Sequence, residues 1–325
     1  MVASTATTDL SVTDRPEHGS GRGVGRCPGA PVAPEVLAVD IGGTKIAAAI
    51  VEGSGRIRSE SAVPTPHSRD PEEVFGAVCA AVDQIRPGAE PVICGVGCGG
   101  PMSAGGETVS PLNIPAWRQF PLRDRLQGLI GLPVVVDNDA KALALGEGWL
   151  GSARGVSNYV AMVVSTGVGG GIVIDGRLLE GAHGNAGHIG HVVVEPDGRP
   201  CACGGRGCLE AEASGLSIEA STGRPASESD SAVRRRTGTL VGRAVASVAN
   251  LLDLELAVVA GSVALGFGEP FFAAAQEEIE LRAGLEFSRT TRIVPGGLGT
   301  AGPLVGATAV ALRSLAVPGV PGRAR

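Results

Sequence analysis

Two stretches of this chain repeat one pattern, and that repetition limits what it can fold into more than any other feature. Residues 36–51, VLAVDIGGTKIAAAIV, and residues 159–174, YVAMVVSTGVGGGIVI, each read as apolar strand, Gly-rich turn, apolar strand. In the first, 36–40 is a strand ending on Asp40, 41–45 is the turn and 46–51 the return. Such a turn exposes successive backbone N–H groups, and a carboxylate beside them completes a setting for phosphate oxygens and Mg²⁺. Two such hairpins imply two half-molecules, each turning a phosphate-cradling loop toward a shared cleft. The chain has no G-x-x-x-x-G-K-[ST] loop, and no dinucleotide fingerprint follows the first strand.

Strands and helices alternate along the rest, which predicts an α/β fold. Residues 71–86 carry Val74, Phe75, Val78, Ala81, Val82 and Ile85 at helical spacing. A strand at 92–96, a Pro-rich loop 110–117 bearing Asn113, a helix at 120–129 and a strand at 132–136 follow. That last strand runs into DNDAKALALGEGW, with Asp139 where strand becomes helix. An Asp there is either a helix cap or half of a functional pair with Asn138, and three polar residues straight after a buried strand favour the pair. Farther on come a helix at 239–253, a strand beginning at 256, a helix at 271–281 and an edge strand at 291–294. The Gly/Ala-rich helix within 297–315 has small residues that allow close approach to a neighbouring element or a nucleotide base.

The 325 residues are enough for two domains with substantial cores. We expect a disordered leader at 1–34, a first α/β domain at 35–138 joined by a helix near 302–316, a second at 139–301, and a tail at 317–325. A net charge of −6 favours neither nucleic acid nor acidic lipid as partner, and the leader shows no helix-turn-helix pattern. The N-terminal residues lack the apolar run of a secretory signal, and no membrane-spanning stretch occurs. Seven cysteines, an odd number, fit a reducing compartment. The expected location is the cytoplasm, with no membrane partner.

Three of those cysteines lie in GHIGHVVVEPDGRPCACGGRGCLE, residues 187–210. His191, Cys201, Cys203 and Cys208 follow the spacing H-x9-C-x-C-x4-C, which lets one imidazole and three thiolates close a tetrahedron around Zn²⁺. Four protein ligands leave no open position for a catalytic water, so the zinc is read as structural. It would fix the polar groups on its flanks, His188 and Glu210 above all.

Together these motifs resemble the ROK family of sugar kinases and sugar-responsive repressors, within the actin-like ATPase superfamily. The likeness rests on DIGGTK at 40–45, DNDA at 137–140 with Gly146-Glu147, STGVGGG at 165–171, and the ordered string G-H-x9-C-x-C-G-x2-G-C-x-E at 190–210. It spans nearly everything from residue 36 to about 315. It implies a two-domain actin-like ATPase (ribonuclease H-like) fold with the active site between domains. The implied activity is ATP-dependent phosphorylation of a hexose, glucose first, with N-acetylmannosamine or fructose as alternatives and a non-catalytic sugar sensor as the rival.

The resemblance also implies roles. ATP and Mg²⁺ would be held by Asp40, Gly42, Gly43, Thr44 and Lys45, by Thr166 and Gly167, by Gly261-Ser262 along the adenosine, and by Gly299 near the base or ribose. Asp139 would be the general base. Asn113, Asn138, Asp139, His188, His191 and Glu210 would contact the sugar, and a homodimer is the implied assembly. Two positions depart from the family pattern. His188 stands where a Glu is usual and cannot offer a carboxylate's acceptor sites. Lys141 stands where Asn is common, either on the helix surface or close enough to bias Asp139.

Overall fold

The computed structural model describes residues 34–323 apart from Pro87. Residues 1–33, which carry nearly all of the expected leader, lie outside the described residues. In chain order the elements are β1 (Val36–Ile41), β2 (Lys45–Val51), β3 (Ile57–Pro64), α1 (Pro71–Asp83), β4 (Ile93–Cys98), α2 (Leu122–Ile130) and β5 (Val134–Asn138). Then come α3 (Asp139–Leu150), β6 (Tyr159–Val164), β7 (Val168–Ile174), β8 (Arg177–Leu178), α4 (Leu209–Ala213), α5 (Gly215–Thr222) and α6 (Ser231–Leu252). The last are β9 (Leu256–Ala260), α7 (Ser262–Phe267), α8 (Glu269–Arg282), β10 (Arg292–Pro295), α9 (Gly302–Ser314) and β11 (Gly322–Arg323).

They form two sheets with one plan. The first has the order β3-β2-β1-β4-β5, and the second β10-β9-β6-β7-β8-β11. In each, an antiparallel hairpin (β1–β2 or β6–β7) is extended by parallel strands on the opposite side of its first strand. The repeated motif of the sequence is thus a repeated half-sheet. β1 and β2 are buried almost throughout, as strands covered on both faces must be.

Helices α3 and α9 lie in the middle. Ala142, Ala144 and Leu145 of α3 and Val305, Ala309 and Val310 of α9 share a core with Ala161 and Val258 of the second sheet. Leu304 and Ala307 of α9 pack on Ala38, Ala47 and Ala49 of the first. The outer face of the first sheet is covered by α1 and α2 around buried Trp117, and that of the second by α6 and α8. A side chain on Gly146 would meet the Gly306 backbone at 3.1 Å, so the two central helices touch almost backbone to backbone.

Several sequence expectations need adjustment. β3 went unseen because IRSESAVP has few apolar residues and only one covered face. The helix expected from 239 starts at Ser231, where the Asp230 carboxylate accepts the Val233 N–H at 2.9 Å. The helix expected from Phe120 starts after Pro121. Strand β5 extends to Asn138, two residues beyond expectation. The C-terminal stretch read as a tail contains β11, paired with β8. Lys141 is no surface residue: it is 2% exposed.

Candidate active site

The strand ends of the first sheet bring the acidic groups together. Asp40 of β1 lies level with Gly97 of β4, and Gly97 level with Asp137 of β5. The point where Gly97 would carry a side chain is 3.6 Å from both Asp40 Oδ1 and Asp139 Cα. Burial and the nearby Asp139 charge, only partly offset by Lys45, raise the Asp40 carboxyl to about 7. Burial also raises Asp139, against the N–H of Ala140 and its own backbone N–H and the neighbouring His188. Two carboxyls that resist ionising side by side form a site suited to a cation or a shared proton.

Beyond Asp40 the chain doubles back at once. The Gly42 N–H donates to the Lys45 carbonyl at 3.0 Å, and the Thr65 hydroxyl donates to the Gly42 carbonyl at 2.7 Å. Thr44 and Lys45 are exposed at the tip. Gly43 abuts Asn113, whose Cβ is 2.9 Å from where a Gly43 side chain would begin. Asn113 thus reaches the hairpin while remaining exposed. Neither the turn nor the loop signals this contact alone.

At the β5–α3 junction the two sequence readings divide between neighbours. Asn138 is the cap, its side-chain oxygen accepting the N–H groups of Ala140 at 3.0 Å and Lys141 at 3.3 Å. Its Nδ2 is left 3.3 Å from the side-chain position of Gly100. Asp139 is the first helical residue, and one of its oxygens accepts the Ala140 N–H at 2.8 Å.

His188 approaches from the second half. Its Cε1 lies 3.8 Å from that same position on Gly100, and its ring centroid is 6.0 Å from that of His191. Burial and His191 lower the His188 pKa, against the pull of Asp139 and Glu210, so the neutral ring is favoured. Glu210, in the first turn of α4, accepts the Val168 N–H at 2.9 Å. The point where a Gly167 side chain would begin is 2.8 Å from the Glu210 carboxylate, so the turn and that carboxylate lie in contact. The same turn continues to Ser165, whose hydroxyl is 2.9 Å from that of Ser262, next to Gly261.

The four metal-ligand candidates converge. Their ligand atoms all lie within 4.8 Å of one another, with Cys201 Sγ 3.8 Å from His191 Nδ1 and Cys203 Sγ 3.7 Å from Cys208 Sγ. A tetrahedral Zn²⁺ with Zn–S near 2.3 Å needs ligand separations of about 3.8 Å. The residues fit that ion. The loop is anchored by buried Glu212, which accepts the Arg199 N–H at 2.6 Å and pairs with Arg236 at 2.9 Å.

Gly299 stands apart, exposed with positive φ and nothing close to its side-chain position. Its loop is placed by fully buried Glu147, whose carboxylate accepts the N–H groups of Ser152 at 2.7 Å, Gly297 at 3.1 Å and Leu298 at 3.3 Å. Sequence reasoning gave Glu147 no role, although an acid inside an apolar helix was signal enough. It also missed a buried ionic cluster. Lys141 pairs with Asp137 at 2.9 Å and Glu180 at 2.6 Å, while Arg313 pairs with Asp137 at 2.9 Å and Glu180 at 2.8 Å. Lys141 and Arg313 each stand out in a run of small and apolar residues, and that contrast was the available clue.

The ROK family profile matches residues 36–314. A glucokinase of Streptomyces coelicolor is 43% identical over 182 residues, 56% of this chain and 57% of that protein, so the match spans little more than half of that relative's length. An N-acetylmannosamine kinase of Citrobacter koseri is 39% identical over 250 residues, 71% of this chain and 84% of that one. The crystal structure of a ROK family glucokinase from Streptomyces griseus, in complex with glucose and AMPPNP, superposes with a TM-score of 0.76 at 33% identity, covering 86% of this chain and 99% of that one. With the repeated sheets, the paired glycine turns and the His-Cys loop all present, the chain belongs to the ROK family.

Proposed function

We propose that this protein is an ATP-dependent hexose kinase that phosphorylates the 6-hydroxyl. The observation that carries the reading is the convergence of Asp40 at the end of β1 and Asp139 just after β5, on either side of Gly97 of β4, near His188 and Glu210. Phosphoryl transfer needs an alcohol and a γ-phosphate in line, charge neutralisation on the phosphate and a base on the attacking oxygen. Asp139 takes the proton of the 6-hydroxyl as its oxygen bonds to the γ-phosphorus and the bond to the ADP leaving group breaks. A buried carboxyl with raised pKa suits that task.

Asp40 and the 41–45 turn hold Mg²⁺ and the phosphates from one side, and Thr166 and Gly167 from the other. Gly261-Ser262 and Gly299 serve the nucleoside. Mg²⁺ supplies charge neutralisation on the triphosphate. Zn²⁺, held by His191, Cys201, Cys203 and Cys208, fixes the loop that presents Glu210. Asn113, Asn138, His188, His191 and Glu210 bind the sugar, Asn138 through the Nδ2 that its capping role leaves free.

For the sugar, position 188 favours N-acetylmannosamine. A neutral imidazole offers one donor and one acceptor, the complement of an acetamido group, whereas a carboxylate only accepts and repels the amide carbonyl. The 39% identity to an N-acetylmannosamine kinase over 71% of the chain supports the same reading. Glucose is the second reading, supported by the glucose-bound relative. ADP release with Mg-ATP across glucose, mannose, fructose, N-acetylglucosamine and N-acetylmannosamine tests both. Highest kcat/KM on N-acetylmannosamine, with His188→Glu shifting the ratio toward glucose by roughly tenfold, is the expected result. Turnover of no hexose, with tight sugar binding retained, would replace the kinase with a sugar sensor.

A further inference from the structure

The segment from Glu180 to His188 is tied down at three places before it delivers His188. Near its start, Lys141 Nζ binds Glu180 at 2.6 Å and the Gly184 carbonyl at 3.1 Å, while Arg313 holds the other Glu180 oxygen at 2.8 Å. In the middle, the Asn185 side chain makes a two-sided contact with the backbone of Met102. Its Nδ2 donates to the Met102 carbonyl at 3.1 Å, and its Oδ1 accepts the Met102 N–H at 3.4 Å. At the end, Gly187 has φ +102°, and a side chain there would begin 2.6 Å from the Gly170 carbonyl oxygen. His188 is therefore set by a strap fastened to α3, α9, β7 and the loop after β4.

We infer that Lys141 and Asn185 are positioning residues for His188, and so determinants of which sugar the pocket accepts. The inference rests on the reading of His188 as a sugar-facing group. It joins the two departures from the family pattern: the lysine at 141 grips the strap that carries the histidine at 188. Lys141 makes no contact with Asp139 in this arrangement. Its three partners are Asp137, Glu180 and Gly184, so its bonded link to the site runs through the strap, while its charge also acts directly on His188 and adds to the lowering of that pKa. Asn185 does the same from the opposite side, because Met102 follows the Gly100 segment that the His188 ring faces.

The test has two arms. In the first, the protein is labelled with ¹⁵N-histidine, and the His188 imidazole signals are identified by their loss in His188→Ala. Asn185→Ala and Lys141→Met are expected to shift or broaden those signals while His67, remote in sequence, keeps its own. Unchanged His188 signals in a folded variant would overturn the inference. Asn185→Ala leaves the buried charge cluster intact, so it decides the matter if Lys141→Met does not fold. The second arm is a double-mutant cycle on the sugar KM. Asn185→Ala is expected to raise it about tenfold in the wild type and to change nothing in a His188→Ala background, with the KM for ATP unaffected. An equal loss in both backgrounds would mean a merely structural contact. If the wild type turns over no hexose, the kinase reading fails, and the imidazole signals still decide whether the strap positions His188.

Discussion

At Asp139 the low-polarity surroundings that raise its pKa also make it a competent proton acceptor at neutral pH. Asp139→Asn keeps the shape and the Ala140 contact but loses the basicity. We expect kcat to fall by roughly 100- to 10,000-fold, with sugar affinity measured by calorimetry within a few-fold of wild type. Turnover at the wild-type rate would remove Asp139 from the role of base. Asn138 was legible as a polar residue after a buried strand, but the sequence could not say that it, and not Asp139, supplies the capping oxygen. Both types favour caps, and backbone geometry decides between them.

Among the elements, the His-Cys loop was the most legible, since ligand spacing along one excursion of backbone survives any detail of packing. Elemental analysis should find about one zinc per chain, as four protein ligands require, and Cys203→Ser should lose it together with the order of Glu210. Metal-free wild type with full activity would contradict this. The two glycine hairpins were legible for a similar reason, because their turn chemistry is local. β3 was not: its register comes from pairing with β2, and its own sequence carries little apolar signal. For Lys141 the sequence left two readings open, because a lysine in a helix is ordinarily solvated. Its burial depends on Asp137 and on Glu180, 39 residues away, two acids that it shares with Arg313.

Over the whole molecule, that cluster couples the strand end of the first sheet to the loop after β8 and to α9. Burial pushes the Glu180 pKa up, but Lys141 and Arg313 outweigh it and hold the carboxyl below its ordinary 4.5. A depressed acid contributes stability above its unfolded pKa and loses it as pH falls through the folded value. Urea unfolding should therefore show stability declining below pH 4.5, less steeply in Glu180→Gln. Equal slopes would mean that Glu180 carries its proton in both states alike. The side chain is 33% exposed, so the effect is a moderate one.

The near-contact of α3 and α9 has a consequence of another kind. Helix α9 serves two cores at once and shares one of them with α3, and at their crossing the side chains have been reduced to hydrogen. A methyl on Gly306 would begin 2.7 Å from the Ala142 carbonyl oxygen, one residue from Lys141 and three from Asp139. Gly306→Ala should lower stability by about 1–3 kcal/mol, read from denaturant melts. In machine terms the pair is an axle turned to zero clearance: the smallest added thickness binds it at the shaft that bears Asp139.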